Sequence, residues 1–127
     1  MQYDLIKTAT FDRSFEKALK KFPNSVSDIK TKIKSIPNDL PGDLCTLFSP
    51  NSMKKVRFGL KEYRISKSAG LRVFYLILEA KQKIIPIYIY KKRDVKTEII
   101  VTNNVKQNIK KILKEIKQNH SHQQNSH

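Results

Sequence analysis

Arginine and lysine side chains that converge on one point hold a phosphate well and stabilise the charge that grows on it under attack. The chain carries such residues in two β-like runs and at the end of a third: Arg64, Arg72, and Lys91, Lys92 and Arg93, with Lys61 and Lys67 flanking the first. Side chains alternate faces along a strand and directly paired residues share a face, so register predicts which of them meet. A turn centred on Ser68, within Ser66-Lys67-Ser68-Ala69-Gly70, sets Arg64 opposite Arg72. A turn centred on Lys81 sets Arg72 opposite Tyr90 and lets Lys92 extend the same face, whereas a turn one residue shorter brings Arg93 there instead. Like charges directly opposite cost a sheet some tenths of a kcal/mol. The cluster therefore reads as a seat for an anion, unless Glu62, Asp94 or Glu98 neutralises it in an ordinary ion-pair lattice.

Other chemistries find less support. His120-Ser121-His122 has chelating spacing but no acid or cysteine nearby, in a polar tail, so no metal site is expected. Cys45 is the only cysteine and has no histidine close in sequence, which favours a buried thiol over a nucleophile and rules out an intramolecular disulfide. With only Gly42, Gly59 and Gly70 there is no glycine-rich phosphate loop, and no cofactor is implied.

The elements that must position the basic residues follow from periodicity. Tyr3 to Thr8 is β-compatible. Phe11, Phe15, Ala18, Leu19 and Phe22 mark one face of a first helix that Pro23 stops, leaving Lys17, Lys20 and Lys21 in solvent. Ser25 with Asp28 matches a capping box, and Val26, Ile29, Ile33 and Ile36 mark a second helix ending before Pro37. The two form an antiparallel hairpin. Residues 37–53 are a long connection, followed by strands over Val56 to Ser66, Leu71 to Glu79 and Lys83 to Tyr90 whose short links predict an antiparallel meander. Ile85, Ile87 and Ile89, with Val73, Tyr75 and Ile77, are expected to face the helices, and Arg72, Phe74, Leu76 and Leu78 the other side. Pro86 suggests an edge or a bulge. Glu98 to Val101 is either a short strand or a turn, and Val105, Ile109, Ile112, Leu113 and Ile116 mark a C-terminal helix. That helix is expected to cap the basic groove or meet a partner protein, with membrane-surface binding as the alternative.

Composition sets the frame. The 127 residues are 39% hydrophobic, enough for one α+β domain over residues 1–117, with 118–127 an expected disordered tail. Twenty-six Lys and Arg against 11 Asp and Glu give a net charge of +15, which attracts phosphate backbones in a salt-dependent way. No export signal or run approaching the ~18 apolar residues of a membrane span is present. A cytoplasmic protein, with no membrane partner, is expected.

Two helices, then Lys61-Glu62-Tyr63-Arg64-Ile65, Gly70-Leu71-Arg72-Val73-Phe74-Tyr75 and an aliphatic strand ending in Lys91-Lys92-Arg93 resemble the RelE/ParE superfamily of toxin-antitoxin toxins, over roughly residues 3 to 100. The resemblance implies a β-α-α-β-β-β fold with a C-terminal helix, in which the helical hairpin packs on one sheet face and the other forms a concave basic groove. It also implies a neutralising antitoxin. In the RelE branch it implies ribosome-dependent, metal-independent mRNA cleavage by 2′-OH attack, which inhibits translation; in the ParE branch the target is DNA gyrase. Carried over by residue, Arg72 matches the arginine expected on the scissile phosphate. Arg64 falls where RNA-cleaving members have a lysine. Lys92 or Arg93 matches the basic residue at the last strand's end, while Lys61, Lys67, Lys91 and Tyr90 would contact RNA. Where several active members have Tyr or His after the last strand, this chain has Lys96, Thr97 and Glu98. Three functions follow as expectations: an mRNA endonuclease, a gyrase-directed toxin, and a member that only binds antitoxin or RNA.

Overall fold

The computed structural model describes residues 2–45, 52–92 and 98–125. Thr8 is extended, and its hydroxyl accepts the Phe11 amide at 3.2 Å to start α1 (Ala9–Lys21). The expected face is the buried one: Phe11, Phe15 and Ala18 point inward. A 3₁₀ turn over Pro23–Ser25 then leads into α2 (Val26–Asp39), which buries Ile29, Ile33 and Ile36.

Both ends of α2 depart from the sequence reading. Ser25 makes no capping bond, because the proline turn winds its hydroxyl into the interior, where that oxygen is buried without a partner. The helix also runs through Pro37 instead of stopping before it. Fully buried Ile36 holds the last turn in place, and its carbonyl accepts the amide of left-handed Leu40 at 2.9 Å.

The sheet contains β1 (Asp4–Leu5), β2 (Asp43–Leu44), β3 (Met53–Phe58), β4 (Leu71–Leu78) and β5 (Lys83–Lys91), in the order β1-β5-β4-β3-β2. β1 lies parallel to β5 and the other neighbours are antiparallel, so the expected antiparallel sheet is mixed at one edge. The first strand of the meander is Met53–Phe58, not Val56 to Ser66. After Phe58 the chain leaves the sheet through a Leu60–Ile65 bridge and 3₁₀ turns over Lys61–Tyr63 and Lys67–Ala69. Packing explains the departure. Leu60 is fully buried, the Tyr63 ring meets Phe22 edge-on at 5.1 Å, and the Tyr63 hydroxyl accepts the Asn24 amide at 3.0 Å. Gly70 lets the loop return, since a Cβ there would overlap the Phe58 carbonyl.

Between β4 and β5 the register shifts at Phe74/Tyr75, next to Pro86, which pairs with Tyr75. This bulge splits the isoleucines that sequence parity put on one face. Ile84 and Ile89 join Phe11, Phe15, Ile29, Ile33, Val73, Tyr75 and Ile77 under the hairpin, whereas Ile85 and Ile87 join Met53 and Phe74 on the opposite face.

That second face is covered by α3 (Glu98–Asn125) through Val101, Val105 and Ile112. Residues 98–101, open between strand and turn in the sequence, are its first turn, and the helix continues past residue 117 into the stretch expected to be disordered. No glycine or proline follows Pro86, so nothing in the sequence halts propagation. Glu115 ties α3 to the start of α1, accepting the amides of Ala9 at 2.9 Å and Thr10 at 2.8 Å and the Thr10 hydroxyl. Its negative charge sits where the α1 dipole is positive. Among the described residues no helix is long and apolar enough to cross a membrane.

Candidate functional site

Arg72 does face another arginine across the sheet, but its partner is Arg57. On its other side lies Tyr90, the pairing expected of a turn centred on Lys81, but reached here through a shorter turn and the bulge at Phe74/Tyr75. The next rung on the same face is Lys55, Phe74 and Tyr88. Three aromatic rings thus form a short stack: Tyr90 lies 5.5 Å from Tyr88 and 6.3 Å from Phe74, while the Lys55 ammonium stands 5.8 Å over the Phe74 ring. Cations interleaved with stacked aromatic rings suit a single-stranded polyanion with flat bases.

The two opposed arginines play different parts. Arg57 is exposed. Arg72 is only 6% exposed, and it donates from Nη2 to the Ser68 carbonyl at 2.7 Å and from Nη1 to the Gly70 carbonyl at 3.2 Å. Burial lowers the pKa of its guanidinium below the ordinary value; Tyr90 raises it and the charge of Arg57 lowers it further. Arg72 is thus a fixed positive charge beneath the surface that braces the 66–70 loop, and Arg57 is the solvent-exposed member of the pair.

Arg64 is not on this rung. It is exposed and left-handed (φ 54°) at the end of the Lys61–Tyr63 turn, in the loop that separates β3 from β4. Lys61 and Lys67 are exposed in the same loop. Lys91 shares the face of its partner Leu71, opposite to Arg72, and its ammonium donates to the Ala69 carbonyl. Lys92 is exposed beside the loop, with its amide on the Gly70 carbonyl at 3.3 Å. Arg93, Asp94, Lys96 and Thr97 lie outside the described residues, as does the Glu98 side chain.

Sequence reasoning missed Lys55 and Arg57 because it carried the first strand through to Ser66. A usable signal was present in Gly59 and Gly70. A Cβ on Gly59 would crowd the Ile65 carbonyl and one on Gly70 the Phe58 carbonyl, so the pair brackets a loop rather than a hairpin tip near Ser68. Centring the connection between them gives the Arg57–Arg72 rung directly.

No protein-family model and no curated protein sequence matches the chain. Among solved structures it is similar to that of a double arginine-to-alanine mutant of the E. coli toxin RelE in the free state, with a TM-score of 0.53 and 18% identity over 84% of this chain and 98% of that one. The likeness is one of architecture: the chain has a RelE-like α+β fold, a helical hairpin on one face of a five-stranded mixed sheet and its cationic rungs on the other.

Proposed function

We propose that the chain is the toxin of a toxin-antitoxin pair and acts on RNA, as a ribosome-dependent mRNA endonuclease that inhibits translation. The observation that carries the reading is the Arg57–Arg72–Tyr90 rung beside Lys55, Phe74 and Tyr88, on a RelE-like fold. Exposed Arg57 and half-buried Lys55 grip the scissile phosphate, and the buried charge of Arg72 stabilises the extra negative charge on its oxygens during 2′-OH attack. Bases of the flanking nucleotides stack on Tyr88 and Tyr90. Proton transfer falls to the Tyr90 phenol, which stands beside Arg72 on the rung, with Lys92 as donor to the leaving oxygen. An antitoxin neutralises the toxin by occupying this face.

Induced expression with mapping of mRNA ends tests it. Growth arrest with codon-linked cuts is expected, and Arg57→Ala should abolish both while leaving the protein folded. Intact mRNA during arrest, with or without DNA damage as for a gyrase-directed toxin, would remove the nuclease assignment. One observation favours a second reading, a protein that binds RNA or antitoxin without cutting: Arg72 spends donors on its own loop instead of holding them toward a ligand. RNA binding that depends on Arg57 with no cleavage on ribosomes would establish that reading.

A further inference from the structure

A second cationic feature lies outside this rung. α1 and α3 flank the edge of β5 beyond its pairing with β1, on opposite sides of the sheet, and enclose a groove of about 420 Å³ floored by residues 88–91. Arg13, Lys17 and Lys21 line it from α1, Lys111 from α3 and Lys91 from the floor, and no carboxylate is among the described lining residues. The three α1 cations recur every four residues, which places them about 6 Å apart along one helix face. All three are exposed, as is Lys111.

Two ligand classes have regularly spaced negative charge: an extended acidic peptide and a single-stranded nucleic acid. A peptide would gain most by adding as a strand to the β5 edge. That edge is already occupied. The Ile89 amide donates to the Ser14 hydroxyl at 3.2 Å, and the Ile87 carbonyl accepts the Asn108 amide at 3.0 Å. Pro86 has no amide proton to offer. The groove therefore presents side chains, not backbone, and side-chain cations at phosphate-like intervals favour a polynucleotide. Tyr90, on the rung with Arg72, and Tyr88, on the next rung with Phe74, also line one side of the groove, so the two surfaces share a wall.

We propose that the α1–α3 groove carries the continuation of a single-stranded RNA whose neighbouring nucleotides lie on the Arg57–Arg72 face, its phosphates held by Arg13, Lys17 and Lys21. This inference rests on the RNA reading of that face. It makes the RNA footprint longer than the site of attack.

Binding of a labelled oligouridylate of ten nucleotides to the full chain tests it, with titrations at several salt concentrations for wild type, the Lys17→Ala/Lys21→Ala double variant and Arg57→Ala. Each phosphate contact to a single strand contributes about 0.7 to the log–log salt slope, so the double variant should bind roughly tenfold more weakly or worse, with a slope shallower by about 1.4. Arg57→Ala should also weaken binding. Wild-type affinity and slope in the double variant, with Arg57→Ala impaired, would overturn the groove and leave the face reading intact. The converse pattern would sustain the groove and remove the face. No RNA binding by wild type would overturn both, and displacement of the RNA by polyglutamate at equal charge concentration would reassign the groove to an acidic protein.

Discussion

The two faces of the sheet use the same strands for different ends. Under the hairpin, Phe11, Phe15, Ile29, Ile33 and Ile36 meet Val73, Ile77, Ile84 and Ile89 in a continuous apolar layer, where the fully buried Tyr75 donates its phenol proton to the Pro41 carbonyl. On the other face only part is apolar, where Val101, Val105 and Ile112 cover Met53, Phe74, Ile85 and Ile87. The rest is the cationic rung. A sheet that stacked Arg57 against Arg72 on its only well-packed face would bear desolvation and like-charge repulsion together. Concentrating packing under the hairpin frees the opposite face to carry charge.

The largest expected effect tests that division. Phe11→Ala empties a fully buried site under the hairpin and should cost about 3–5 kcal/mol, enough to unfold much of a marginally stable domain. Ile112→Ala, equally buried but on a peripheral helix, should fall near the low end of the ~2–5 kcal/mol range for such truncations. Urea unfolding of both variants ranks them. If Ile112→Ala proves the more damaging, α3 and not the hairpin is the main support of the sheet.

The next comparison is within one rung. Truncating Arg72 to Met removes donors from the Ser68 and Gly70 carbonyls and should cost about 1–3 kcal/mol, because the buried Gly70 carbonyl and the partly buried Ser68 carbonyl lose their partners. Arg57→Ala, at an exposed position, should stay within about 0.5 kcal/mol of wild type. Thermal melts separate the two arginines: equal losses would mean that Arg57 is also structural, and equal neutrality that Arg72 is available for a ligand.

Most of the architecture was legible in the sequence because it is written in periodicity: the apolar stripes of α1 and α2, and the strands at Leu71 and Lys83. What escaped depends on single backbone events. The bulge at Phe74/Tyr75 exchanges faces for Ile85 and Ile87, and it is also what sets Tyr90 opposite Arg72, although the turn is not centred on Lys81. Tyr63-Arg64-Ile65 has β-like composition, yet burial of Leu60 and the contact of Tyr63 with Phe22 outweigh that propensity. The rung was thus legible in kind, as opposed arginines beside a tyrosine, while the arginine paired with Arg72 is Arg57 and not Arg64.

The smallest effect concerns Tyr75, the polar group in the apolar layer. Burial raises its hydroxyl above the ordinary tyrosine value, so the folded state favours the neutral phenol. A group whose folded pKa is raised contributes its full stability below the unfolded pKa, about 10, and loses it as pH rises toward the folded value. At neutral pH, Tyr75→Phe removes the bond to Pro41 and should cost about 1 kcal/mol. Above pH ~10 wild type should lose about 1.4 kcal/mol per pH unit that the variant does not, so the gap closes near pH 11 and then reverses. Lysine deprotonation is common to both proteins and cancels in the difference. Urea unfolding of the pair at neutral pH and near pH 11 measures it. A gap that stays constant would mean that Tyr75 ionises as easily in the folded chain as in the unfolded one, and that the hairpin face admits water the packing says it excludes.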